Sequence, residues 1–335
     1  MSDVGQIERK TQDRVVKLFA EQLGFEYGGN WEYRQGNSNI EEVLLTQNLK
    51  ARGYSDLLIS RAIDQLKKAT AVSAGHDLYE ANREVYELLR YGVKVKPSVS
   101  DPTVTVWLID WSDPNANHFV VAEEVTVLGQ HTKRPDVVLY VNGLPLVIVE
   151  LKQAAAKNAT VEGAYNQLQT YLREFPMAFR FCAFVVASDG ISAKYGTPWT
   201  PYNHFAPWSV DEEGHLMEFG ETDLDGEATT ELDLTLTGLF NIDRFGQLLR
   251  DYIAFDSTDA GLVKRIAKPH QYFAVTKAVG STITAVRGDG RAGVVWHTQG
   301  SGKSMEMELY TAKVMRHPRL ANPTIVVITD RQELD

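Results

Sequence analysis

Arg134-Pro135-Asp136-Val137-Val138-Leu139-Tyr140-Val141-Asn142-Gly143-Leu144-Pro145-Leu146-Val147-Ile148-Val149-Glu150-Leu151-Lys152 is the stretch on which the fold turns. Two apolar runs flank Asn142-Gly143, a strong short-range signal for a β-hairpin. Asp136 opens the first strand. Glu150 and Lys152 close the second, two residues apart and therefore on one face. Carboxylates projecting from an otherwise apolar hairpin cost desolvation free energy unless something compensates, and a bound Mg²⁺ compensates well. Register decides whether Asp136 joins the pair. A strict two-residue turn would pair Val141 with Leu144 and put Asp136 on the face opposite Glu150. A three-residue loop with Gly143 left-handed, or one bulge, would bring Asp136, Glu150 and Lys152 to one face. The competing reading is a solvent-capped hairpin beside an amphipathic helix.

Downstream, residues 164–174 read as a helix that carries Gln167 and Tyr171 one turn apart on one face. The combination Pro135-Asp136, Glu150-Leu151-Lys152 and Gln167-x-x-x-Tyr171 resembles the PD-(D/E)xK nucleases, in particular their RecB-like branch. The resemblance implies Mg²⁺-assisted phosphodiester hydrolysis. Asp136 and Glu150 would hold the metal, which lowers the pKa of a bound water and neutralises transition-state charge. Lys152 would orient that water or stabilise phosphate charge, and Gln167 and Tyr171 would position substrate or ligands. Glu8 and Glu84, on predicted helices, could be further ligands, although a solvated face accounts for both.

A second constellation lies at residues 297–304, His297-Thr298-Gln299-Gly300-Ser301-Gly302-Lys303-Ser304. It falls between a strand-like run at 293–296 and a helix-like run at 305–314, the context of a phosphate-binding loop. Thr298, Gly300, Ser301 and Gly302 would wrap the phosphates of ATP with backbone N–H groups. Lys303 would reach the β- and γ-phosphates, and Ser304 would bind Mg²⁺. His297 stands where the first Gly of such loops usually stands. About thirty residues earlier, Lys268-Pro269-His270-Gln271-Tyr272-Phe273 resembles the adenine-reading segment of superfamily 2 helicases. The Gln271 amide can both donate to and accept from adenine. Beyond the loop only one more strand-like run follows, at 324–329. No acidic strand for Mg²⁺ fits after it, so the chain is expected to be the front of a longer motor protein, with little ATP turnover of its own.

Elsewhere, helices are expected at 6–23, 39–44, 55–68, 78–91 and 243–255, and strands at 104–109, 119–127 and 180–187. This is an α/β or α+β pattern; with the resemblances above it implies an α/β protein with a PD-(D/E)xK-type nuclease domain over 1–255, a mixed sheet flanked by helices, and the start of a RecA-like helicase motor domain over 256–335. The net charge of −10 argues against a nonspecific DNA coat. No run of eighteen apolar residues suggests a membrane span. The single Cys182 cannot form an internal disulfide, which fits a reducing cytoplasm.

Taken in order, the nuclease hairpin, the Gln167/Tyr171 helix, Gln271 and Trp296-His297-Thr298-Gln299-Gly300-Ser301-Gly302-Lys303-Ser304 resemble the N-terminal part of the restriction subunit of type I restriction–modification enzymes. So do Leu23-Gly24-Phe25-Glu26-Tyr27 and Arg90-Tyr91-Gly92-Val93. The resemblance implies a subunit that pumps and cuts duplex DNA using ATP and Mg²⁺. Its partners would be separate modification (methyltransferase) and specificity subunits. A recombination or repair helicase–nuclease uses the same parts, and a noncatalytic assembly module would retain the carboxylates as structure. Both alternatives stay open at this stage.

Overall fold

The computed structural model describes residues 3–34, 37, 39–73, 75–126, 134–152, 160–217, 229–258 and 261–328. In chain order the elements are α1 (Asp3–Glu21), β1 (Glu26–Asn30), α2 (Glu42–Ala51), α3 (Asp56–Ala69), α4 (Leu78–Tyr91), β2 (Val93–Val95), β3 (Val104–Val106) and β4 (Phe119–Glu123). The hairpin β5 (Val137–Val141) and β6 (Leu144–Leu151) follows, then α5 (Val161–Glu174), β7 (Phe184–Ser188), β8 (Ala193–Gly196), α6 (Glu231–Phe240) and α7 (Ile242–Asp251). A second hairpin, β9 (Ile253–Thr258) and β10 (Gly261–Ile266), leads to α8 (Pro269–Ala285) and α9 (Lys303–Arg316).

The central sheet has six strands in the order β1-β4-β5-β6-β7-β8. β1–β4 and β6–β7 are parallel, while β4–β5, β5–β6 and β7–β8 are antiparallel. The sheet is thus mixed and helix-flanked. β5 and β6 sit in its middle, with every residue buried. One face packs on α1, α6 and α7 through Phe19, Phe240, Phe245 and Leu248. The other carries Val138, Tyr140 and Ile148 under Ala164, Leu168 and Tyr171 of α5. Helix starts follow their capping residues: Ser55, Asp77 and Thr160 each accept a backbone N–H at the head of α3, α4 and α5.

The hairpin meets the register condition through a bulge. Asn142 and Gly143 are both left-handed (φ 52° and 82°), as a two-residue type I′ turn requires. Val141 pairs with Leu144 and Tyr140 with Pro145, but Leu139 pairs with Val147. The extra residue, Leu146, shifts the rest of the ladder, so that Val137 faces Val149. A Cβ on Gly143 would stand 2.5 Å from the carbonyl O of Glu41, so the close approach of α2 also requires glycine.

Some expected elements differ. The helix expected at 243–255 stops at Asp251, and its last residues enter β9, because the apolar run 252–255 serves a buried strand as well as a helix. The helix expected at 39–44 forms instead at Glu42–Ala51. Strand 119–127 is described to residue 126 and ends at Glu123, where Glu124 turns left-handed (φ 48°). The runs 293–296 and 324–328 form no strand and leave Val294, Trp296 and Ile328 each 89% exposed. A strand needs a ladder partner for its backbone, and no neighbouring strand reaches them among the described residues.

The second hairpin is joined to the front core by Lys264, which is fully buried. Its Nζ donates to Asn82 Oδ1 (2.8 Å) and to Cys182 O (2.9 Å), within an aromatic surround that includes Phe255. Burial lowers the amine's pKa to about 7 from 10.5. Between about 7 and 10.5 the unfolded chain therefore binds more protons than the folded one, so this residue's contribution to stability grows as pH rises. The stability of wild type relative to Lys264→Met is expected to increase between pH 7 and 10 in denaturant titrations. A pH-independent difference would sink the assignment.

Candidate functional site

The acidic centre lies where β5 begins and β6 ends, on the α5 side of the sheet. Extending the shifted ladder one step places Asp136 opposite Glu150. Asp136 Oδ2 accepts from the Leu151 N–H at 2.6 Å. Glu150 is 2% exposed; Lys152 Nζ stands 2.9 Å from its Oε1, and Oε2 is buried with no hydrogen-bond partner. Burial, with the charge of Asp136 added, holds the Glu150 carboxyl well above its ordinary range, and Lys152 only partly offsets this. A buried, underserved carboxylate oxygen beside a second carboxylate is a donor set suited to a hard divalent cation.

Three donors hold the backbone at and before Asp136. Its carbonyl O accepts from Gln12 Nε2 (3.0 Å) and from the Glu124 N–H (3.0 Å). The Tyr171 hydroxyl donates to the Arg134 carbonyl O two residues earlier (3.2 Å). Burial and the Glu150 charge raise the Tyr171 phenol above its ordinary pKa, and Gln167 hydrogen-bonds to it. Tyr171 therefore holds the segment leading to Asp136, and Gln167 reaches that segment only through its hydrogen bond to Tyr171. Glu124 is half-buried, raised by that burial, and paired with Arg134 at 3.7 Å. Glu123, 2% exposed, pairs with Arg9 of α1 at 3.2 Å. Gln12, Glu124 and Arg134 border the centre and carry no role in the sequence reading, while Glu123 lies on the opposite, α1-facing side of the sheet. Gln12 had a signal: it lies three, four and seven residues before Val15, Val16 and Phe19, a polar residue on an apolar stripe. Glu84 of α4 pairs with His76, which precedes that helix, at 3.1 Å, and the side chain of Glu8 lies outside the described residues.

The phosphate-loop candidates gather at the head of α9. Gly300 and Gly302 are left-handed (φ 81° and 86°). Lys303 Nζ donates to the carbonyls of His297 (3.1 Å) and Thr298 (2.9 Å), while Thr298 and Ser304 are exposed. Gln271 is buried. Its Oε1 accepts from Lys268 N–H, and its Nε2 donates to Ser301 O at 3.2 Å. The left-handed φ of Gly302 favours glycine, and a Cβ there would also stand 2.5 Å from that amide nitrogen. A cavity of about 420 Å³ adjoins the loop, bounded by Gln271, Gly302 and Met305 on one side and Tyr195, Thr200 and His204 on the other.

Fold and sites together define a mixed α/β protein with a carboxylate–lysine centre in its first part and a glycine-rich loop at a helix head in its second. Residues 6–204 match the family described as "Type I restriction enzyme R protein N terminus", and the chain belongs to that family. Residues 270–335 match the "SWI2/SNF2 ATPase" family. The type I restriction enzyme HindI endonuclease subunit of Haemophilus influenzae is 35% identical over 356 residues, covering 100% of this chain and 32% of the relative. A proposed type I restriction enzyme endonuclease subunit of Methanocaldococcus jannaschii, MjaIXP, is 32% identical over 97% of this chain and 33% of its own length. The SauMSSORF170P endonuclease subunit of Staphylococcus aureus is 24% identical over 94% and 31%. The chain spans about a third of the length of these relatives. Among the described residues no helix is long and apolar enough to cross a membrane.

The Glu150 geometry has a measurable consequence. A carboxyl whose folded pKa lies above its ordinary value near 4.5 loses stability for the fold as pH rises through the interval between the two. At neutral pH without metal, Glu150→Gln is expected to be more stable than wild type by roughly 1–3 kcal/mol, read as a higher Tm. Mg²⁺ should stabilise wild type and narrow the gap. Equal Tm values with and without Mg²⁺ in both proteins would refute this account of the centre.

Proposed function

We propose that this chain is the nuclease portion and the opening of the motor of a type I restriction subunit that cuts double-stranded DNA. The front part would be a PD-(D/E)xK nuclease, with Asp136, Glu150 and Lys152 at its centre. The observation that carries the reading is the buried Glu150 carboxylate, opposite Asp136, bound at one oxygen by Lys152 and left without a hydrogen bond at the other. Asp136 and Glu150 would hold Mg²⁺, which when bound supplies an activated water and neutralises phosphate charge. Lys152, 28% exposed, reaches from Glu150 toward solvent, where it can orient the attacking water or take phosphate charge. Gln12, Glu124 and Tyr171 hold the Asp136 strand, so the ligand carboxylate is preorganised.

The second part would be the start of a RecA-like, ATP-dependent DNA-translocating motor. Gln271 would read adenine, and the loop from Thr298 to Ser304, with Gly300, Ser301, Gly302 and Lys303, would bind phosphates and Mg²⁺. The sequence division at 255/256 falls within β9, and that hairpin packs on the front core. We place the start of the motor at α8, next to residue 270, where the SWI2/SNF2 match begins. Modification and specificity subunits would supply methylation and site recognition, as the relatives' description as endonuclease subunits of type I enzymes suggests.

In a reconstituted restriction complex, Asp136→Ala or Lys152→Ala should lower DNA cleavage by roughly two to three orders of magnitude or more and leave ATP hydrolysis unchanged. Cleavage at the wild-type rate in either variant would reject the centre. Lys303→Ala should abolish ATP hydrolysis, since the β- and γ-phosphates lose their main cation. Undiminished turnover there would reject the phosphate-loop assignment.

A further inference from the structure

Three side chains beside the phosphate loop have no part in the reactions above. His270 is the second residue of α8, His297 precedes the loop, and Glu306 lies in the first turn of α9. One nitrogen of each ring and one Glu306 oxygen all lie within 4.8 Å of one another. His297 Nδ1 stands 2.7 Å from Glu306 Oε1, His270 Nε2 stands 3.0 Å from Ser301 O, and the two ring centroids are 5.3 Å apart. Glu306 is only 5% exposed. The hydroxyl of Ser301, whose carbonyl meets His270, is buried with no hydrogen-bond partner.

Two imidazoles and one carboxylate form a donor set for borderline metal ions, with a fourth position open to water. Ligand atoms about 2.0–2.2 Å from one tetrahedral ion lie about 3.3–3.6 Å from each other. The exposed His270 ring can cover the remaining distance by turning about its own side-chain torsions. A dication would also neutralise the buried Glu306 carboxylate, which now relies on His297.

We propose that His270, His297 and Glu306 form a binding site for a zinc-class divalent cation that clamps the phosphate loop. The three ligands come from the three segments that frame the loop: the head of α8, the residue before the glycines, and the head of α9. The His297 carbonyl also accepts from Lys303 Nζ, as does that of Thr298. Fixing His297 therefore keeps Lys303 turned back onto the loop's own carbonyls, away from an incoming phosphate. The metal site stands on its own geometry, and the clamp rests on the phosphate-loop reading above. A second group, Asp211, Glu213 and His215, serves as the control. It lies within one short turn, where Asp211 already accepts from the N–H groups of Glu213 and His215.

The test titrates the chain with Co²⁺, in a Glu150→Gln background so that the acidic centre is not counted, and follows the visible absorption of a nitrogen-ligated tetrahedral ion. One saturable equivalent, displaced by Zn²⁺, is expected. His270→Ala, His297→Ala and the isosteric Glu306→Gln should each weaken it by at least about 10–100-fold, in proteins whose Tm shows they are folded, and His215→Ala should not. Absorption unchanged in all three variants, or no saturable equivalent in the background protein, overturns the site. In a second arm, in the same Glu150→Gln background, one equivalent of Zn²⁺ should weaken binding of a fluorescent ATP analogue, and should not do so once His297→Ala is added. Zinc binding with unchanged nucleotide affinity overturns the clamp. Absence of nucleotide binding with or without zinc sinks the clamp together with the phosphate-loop reading, and leaves the metal site to stand on the cobalt result.

Discussion

One extra residue in one strand decides where two of this molecule's carboxylates lie. Without Leu146 as a bulge, the type I′ turn at Asn142-Gly143 would send Asp136 and Glu150 to opposite faces, and the two carboxylates would never meet. The bulge cannot drift, because both faces of the hairpin are buried. A slip by one residue would drive Asp136 and Glu150 into the larger core and expose Val137 and Val149 to the α5 side. The turn is held as firmly as the strands. The Asn142 side chain donates to Leu108 O and Asn117 Oδ1 and accepts from His118 N–H. Leu146 and Val147 both reach the larger core, which is the packing signature of the extra residue.

The same sheet explains why the acids can be kept. Glu150 is surrounded by β5, β7 and α5, so its desolvation is unfavourable and its carboxyl is pushed toward the neutral form. Lys152 recovers only part of that cost. The rest of the fold meets the difference by spreading a large aromatic core over the opposite face, where Phe19, Phe25, Phe240 and Phe245 pack edge to face or tilted. The Glu150 end of the hairpin is thus one of the places where a buried polar group is left underserved, as are the fully buried Lys264 amine and the Ser301 hydroxyl.

Sequence carried the hairpin well because its evidence was local: two apolar runs, an Asn-Gly turn, and charges at fixed offsets. Helix α4 was legible from end to end, since its apolar period is strong and Asp77 and Gly92 punctuate it. What escaped was non-local. β1 is a Gly-containing, largely exposed edge strand with no alternation to read, and it exists because β4 lies alongside it. The apolar residues at 252–255 fit helix or strand equally until β10 appears as a partner. The bulge itself left no mark in the sequence, so the two possible registers could be stated but not chosen between. At the acidic centre, Asp136, Glu150 and Lys152 stand out in the sequence by charge against an apolar background, whereas Glu124 and Arg134 do not. Gln12 and Glu124, which steady Asp136 through its backbone carbonyl, come from segments more than ten residues away and could be placed only by the fold.

The β9–β10 hairpin lies between the front core and the helix that carries Gln271, and it is not slack. Six residue pairs zip it together, and the Tyr79 hydroxyl donates to carbonyls on both of its strands. Lys264 pins it to Asn82 and Cys182, and Thr197, just after β8, donates to the Lys264 carbonyl. The chain therefore passes from the front core to α8 through a strand pair anchored on that core by side-chain hydrogen bonds, where a flexible linker would leave the two segments free to reorient.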